Sequence, residues 1–274
     1  MMMKWLKVSV LSMSLLVVGC QSVSTTNSST IGVDRQQRMF SMLSEQEVNQ
    51  MSEQAYGETL KQARKEKVLN TNAVTVQRLR TISDNLITQV GVFRPDASRW
   101  NWEVNLIASK QLNAYCMPGG KIMFYSGIID KLELNDNEIA AIMGHEIAHA
   151  LREHGREAMS QAYALEMGKN TLGILLGVSQ QTMALGGTLA NYALTLPNSR
   201  TNEVEADLIG LELMARAGYD PRAAVTLWQK MEKASKSAPP EFMSTHPAHD
   251  TRISGLKANL VKVQPLYELT KKKK

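Results

Sequence analysis

The sequence predicts an α+β fold, mostly helical, with one small sheet. Three observations point to it. Sidechain alternation of period two is confined to a short stretch near residue 100 and an apolar stretch soon after it. Helix-start signals and 3.6-residue spacing recur before and after that stretch. Sixteen Met against four Phe, four Trp and seven Tyr suit a helical body better than a β-sandwich.

The chain of 274 residues has room for one substantial domain, predicted over residues 42–264. Ahead of it, Lys4 and Lys7 precede an apolar run from Val8 to Val18. Eleven helical residues span about 16 Å, against the roughly 30 Å of a bilayer core, so 1–19 reads as a cleaved export signal. Residues 21–30 are almost all polar, and the stretch from Cys20 to residue 41 is expected to be a flexible tether. At the other end, residues 265–274 read as a basic tail. Losing Lys4 and Lys7 with the signal lowers the net charge from +5 to +3, and Lys271 to Lys274 supply more than that surplus. With no basic patch interleaved with aromatics elsewhere, no nucleic-acid partner is expected.

Within the domain, Ser44 and Glu47 form a capping box, and a helix is predicted from Glu45 to about Lys65. A second runs from Ala73 to Val90, with Leu79, Ile82, Leu86 and Val90 on one face and Gly91 closing it. Trp100, Trp102, Val104, Leu106 and Ala108 alternate with Asn101, Glu103 and Asn105, predicting a half-buried strand. The turn Pro118-Gly119-Gly120 leads into a second strand, Lys121 to Tyr125, and from Ser126 only helices are expected. Cys116 reads as a small buried residue, not a nucleophile.

Residues 145–149 read His-Glu-Ile-Ala-His on a helix that Asn135 and Glu138 can cap and Gly155 can end. Positions four apart lie about 40° apart around a helix, so His145 and His149 face the same way and can share one metal ion. Glu146 then reaches the ion's bound water. His154, about 140° round from His149, reads as a capping or surface residue. A further helix from Ser199 to Ala217 carries Glu203 and Asp207 on one face, while Glu205 points elsewhere. A carboxylate ligand and a second carboxylate one turn on can bind a metal and orient a ligand His together. The span from Leu172 to Leu196 carries Gln180, Gln181, Thr182 and Asn191, so no run reaches eighteen apolar residues. Its Gly and Ala content suits close helix packing, or a flap over a cleft across 168–196.

Asn113-Ala114-Tyr115, Pro118-Gly119-Gly120, the His145–His149 helix, the Ser199–Asp207 segment, and His246-Pro247 followed by Arg252 together resemble the gluzincin metallopeptidases that include HtpX and the CaaX prenyl proteases. Within that family the sequence resembles the soluble periplasmic branch of the BepA and LoiP type. The resemblance implies a zincin-type domain with its small sheet beside the HExxH helix. It also implies one Zn2+ per chain held by His145, His149 and Glu203 (Glu205 being the lesser candidate), with Glu146 catalytic and Asp207 behind the ligands. Asn113, Ala114 and Tyr115 would line the cleft and pair with substrate. His246 either caps a helix or lies near the metal, stabilising an oxyanion or plugging the open coordination site.

Val17-Val18-Gly19-Cys20 resembles a lipobox, which implies lipidation at Cys20, and the absence of Asp after it implies the periplasmic face of the bacterial outer membrane. The expected function is a zinc endopeptidase of the cell envelope acting on protein or peptide substrates in quality control. The alternative is an outer-membrane assembly factor or chaperone-like lipoprotein whose peptidase site is gated or dormant, with the assembly machinery as partner.

Overall fold

The computed structural model describes residues 20–40, 43–162, 198–235, 240–247 and 250–272. The export signal expected at 1–19 and the 168–196 segment lie outside them. Helix α1 spans Glu45–Lys65 and α2 spans Ala73–Ile87, followed by 3-10 turns at Val90–Val92 and Pro95–Arg99. Strands β3 (Glu103–Ile107), β4 (Ala114–Met117) and β5 (Lys121–Tyr125) form a sheet in the order β3-β5-β4, with β5 parallel to β3 and antiparallel to β4. The helices α3 (Ser126–Lys131), α4 (Asp136–Leu151), α5 (residues 154–162), α6 (Arg200–Arg216), α7 (Ala223–Ser235), α8 (Glu241–Thr245) and α9 (Asp250–Lys271) follow.

Both predicted capping boxes form. Ser44 and Glu47 cap α1, and Asn135 and Glu138 cap α4. The sheet is buried on both faces, not one. Val104, Leu106, Ile122 and Phe124 join the main core with α2, α4 and α6, while Ile107, Met117 and Met123 pack with Tyr56, Leu60 and Ala63 of α1. Asn105, whose polarity suggests a solvent face, is buried there and donates to the Tyr56 hydroxyl at 3.0 Å.

Helix α4 is buried along its length from Glu138 to Leu151 and packs against β4, α2, α6 and α7. Its crossing with α6 is a backbone contact. A Cβ on Gly210 would stand 2.8 Å from the His145 nitrogen, and one on Gly144 would stand 3.1 Å from the Gly210 oxygen. Two glycines thus let the helices carrying His145 and Glu203 approach without a side chain between them.

Two expectations about the chain ends are corrected. The stretch 20–41 is not a free tether: β1 (Cys20–Val23) pairs antiparallel with β2 (Gln37–Phe40), Cys20 opposite Phe40. Its few apolar residues are well placed, with Ile31 and Val33 in the main core and Met39 buried. Its polar groups are also satisfied. The Ile31 amide donates to Glu212 at 2.9 Å, the Arg35 carbonyl accepts from Arg152 at 2.8 Å, and the Gln37 side chain donates to the Arg152 carbonyl. Composition counts apolar residues without seeing whether each finds a pocket, and here Ile31, Val33 and Met39 do. Likewise residues 265–271 are not a tail but the end of α9, which runs through Pro265, with Val263 buried and Leu266 and Tyr267 against the core.

Candidate active site

Helix α4 projects His145 and His149 to the same side, one turn apart, with their Nε2 atoms 3.1 Å from each other. Helix α6, locked to α4 at the glycine crossing, brings Glu203: Oε1 is 3.3 Å from His149 Nε2 and Oε2 is 3.5 Å from His145 Nε2. His246 arrives from the turn after α8. Its Nδ1 lies 3.2 Å from His145 Nε2 and 3.0 Å from Glu203 Oε1. All four side chains are buried, and one ligand atom from each falls within 4.8 Å of the others.

These donors fit a cation. Ligand atoms about 2.0–2.1 Å from a tetrahedral ion stand roughly 3.3–3.5 Å apart, close to the separations above. Glu146 Oε1 makes no hydrogen bond, and Glu203 Oε2 meets a positive charge only in the Arg252 guanidinium, so a cation among the donors would add a partner for these buried oxygens. Burial opposes a charged His145, but Asp207 and Glu203 outweigh it and hold the imidazole up at about 9. Burial likewise opposes a charged Glu203, but the three imidazoles hold its carboxyl well below the usual range.

Around the cluster, Asp207 Oδ1 sits 3.0 Å from His145 Nδ1. Arg252 of α9 grips Asp207 through two bonds of 2.7 and 2.6 Å, and its guanidinium carbon lies 3.7 Å over the Trp228 ring. Arg252 also places Nη1 2.5 Å from Glu203 Oε2. Burial favours neutral Asp207, but Arg252 and His145 keep it ionised.

Glu146 faces the cleft. Burial pushes its carboxyl up, and its Oε1 is 3.3 Å from His246 Nε2. The cleft lies between β4 on one side and Val48, Met51, Ser52 and Ala55 of α1 on the other. Asn113, Ala114 and Tyr115 line it, and β4 is an edge strand of its sheet.

The sequence of the core domain matches the description of peptidase family M48 over residues 74–260. The chain belongs to peptidase family M48. Similar proteins include the mitochondrial metalloendopeptidase OMA1 of Arabidopsis thaliana, 37% identical over 153 residues, covering 56% of this chain and 30% of that protein. OMA1 of Saccharomyces cerevisiae is 34% identical over 175 residues, covering 61% of this chain and 49% of that protein. The Beta-barrel assembly-enhancing protease of Yersinia pestis is 31% identical over 217 residues, covering 75% of this chain and 43% of that protein. The chain thus spans between about a third and half of the length of these relatives.

Two expectations about this M48 site change. His154 is neither a cap nor on the surface. The helix ends at Leu151, Glu153 turns left-handed at φ 51°, and His154 is carried back beneath His149, with 2.8 Å between their Nδ1 atoms. Gly155 therefore does not close α4 but lies within α5. Glu205 lies outside the four-donor cluster. Its Oε2 is 3.0 Å from His154 Nε2. The helical angle that separates it from Glu203 aims it at His154. Arg252 belongs to the site although it was read only as part of a motif. Nothing in one sequence says that the single Arg of α9 turns inward.

Proposed function

We propose that this chain is a zinc-dependent endopeptidase of the bacterial cell envelope, working in protein quality control. The observation that carries the reading is the convergence of His145, His149 and Glu203 on one point with Glu146 beside it. Zinc, when bound there, supplies a Lewis acid that polarises the scissile carbonyl and brings the pKa of a water down to about 7. Glu146 takes the proton of the attacking water and hands it to the leaving amine. Burial raises its carboxyl above the usual range, which suits a group that must accept a proton and then release it. Asp207, pinned by Arg252, orients His145. Residues 113–117 offer an open strand edge to which an extended peptide can add, with its side chains entering the cleft against Met51 and Ala55.

The test is cleavage of casein by the full chain, which should cease with a zinc chelator and return with added Zn2+. Cleavage indifferent to the chelator would refute the proposal.

A gated form of the alternative is favoured by His246. A catalytic zinc keeps one position open, and here His246 Nδ1 fills the fourth place in the cluster. With zinc held by these residues, His246 would have to leave that place before water or substrate could take it. An assembly-linked partner that moves it would make the chain a conditional peptidase. The outer-membrane assembly machinery is the proposed partner, in line with a relative named Beta-barrel assembly-enhancing protease.

Among the described residues no helix is long and apolar enough to cross a membrane. Attachment to the periplasmic face of the outer membrane through a lipid on Cys20 is proposed from the lipobox-like Val17-Val18-Gly19-Cys20. Cys20→Ser should leave the membrane fraction, as a soluble protein or an uncleaved precursor. Fractionation and migration unchanged from the parent would exclude lipidation.

A further inference from the structure

We propose that His154 and Glu205 are positioning residues for His149, fixing which of its ring nitrogens faces the donor cluster. The inference rests on the zinc reading above. It starts from the one group in the chain of contacts whose role is unambiguous. The Glu205 carboxylate only accepts, and it is held by two guanidiniums: Arg152 Nε at 3.0 Å and Arg35 Nε at 2.5 Å.

His154 Nε2, 3.0 Å from Glu205 Oε2, must therefore carry the proton of that bond. In a neutral imidazole the other nitrogen is then bare, so His154 Nδ1 accepts. Its partner at 2.8 Å is His149 Nδ1, which must donate. His149 Nε2 is left with a free lone pair, and that is the atom pointing at His145, Glu203 and the cleft. A fixed carboxylate thus sets the tautomer of a ligand two bonds away, as a carboxylate directly behind a metal-binding His does. His145 has the shorter version of the same device in Asp207.

The device is anchored outside the two ligand helices. Arg35 lies in the N-terminal segment and spans Glu205 on α6 and Glu157 on α5, the latter through bonds of 2.8 and 2.9 Å. Arg152 is fully buried and ties Glu205 to Thr26 and to the Arg35 carbonyl. None of these groups touches the cleft.

The experiment compares zinc affinity of the full chain with that of His154→Phe and His154→Gln by chelator competition, with the visible spectrum of the cobalt-loaded forms and the melting of the metal-free forms alongside. His154→Phe keeps the ring shape without an acceptor and should bind zinc about 10–100-fold more weakly, with displaced cobalt bands. His154→Gln, whose amide oxygen can accept the His149 proton, should recover most of the affinity. Zinc bound equally by all three chains overturns the inference. So does equal loss in both variants accompanied by a matching fall in metal-free melting temperature, which marks a merely structural role. An unaltered chain that binds no zinc overturns the site reading together with it. Ring ¹⁵N spectra of the unaltered zinc-loaded protein need no variant: His154 should be protonated at Nε2 alone, and a proton on its Nδ1 overturns the assignment.

Discussion

Glu146→Gln should retain about one zinc per chain and lose at least ~10²-fold of its peptidase rate. The substitution leaves the four converging donors untouched and preserves the shape of a fully buried side chain. It removes the only carboxylate of the described cleft that is not committed to the donor cluster, and with it the means of moving a proton from water to amine. Metal content by elemental analysis and initial rate on a quenched peptide measure the two halves separately. A variant that cleaves at near-parental rate would exclude Glu146 as the proton carrier, and one that also loses zinc would show that the residue holds the metal.

Glu203→Gln should lose both, and its zinc affinity should fall by more than the ~10–100-fold typical of an outer partner. The physical reason is charge. Glu203 is the sole anion among the four donors, and it also stands 2.5 Å from the buried Arg252 guanidinium. Replacing it with a neutral amide leaves a cation among three imidazoles with no anionic ligand, and leaves Arg252 paired with Asp207 alone. Asp207→Asn, which removes only the partner of His145 Nδ1 and of Arg252, should fall between Glu203→Gln and the unaltered chain. Equal zinc affinity for Glu203→Gln and the parent, measured against a chelator, would show that a different carboxylate completes the site.

The elements that bear His145 and Glu203 were legible because their signals are local. Capping boxes at Ser44 and Asn135, the period-two stretch before Ile107 and the i, i+4 spacing of the ligands each involve residues within a turn or two. What escaped was set by distant partners. Residues 20–41 look unstructured by composition, yet they fold because Glu212, Arg152 and Glu157 lie waiting for them more than a hundred positions away. His154 was misplaced because an ideal helix was extended through Arg152 and Glu153, where the backbone instead turns left-handed and Arg94 holds the Glu153 carboxylate at 2.6 Å. Alternation near Asn105 suggests a half-buried strand because one sequence does not show the partners, Tyr56 of α1 and Asn70 among them, that bond its buried amide.

Strand β1 takes up its pairing at Cys20 itself. A disordered stretch of that length would give about 25 Å of slack between a lipid and the enzyme. With the segment folded onto the body, the backbone at Cys20 is already part of the sheet. The proposed anchor would therefore hold the folded body on a short mooring, with little of the reach that a free linker would allow.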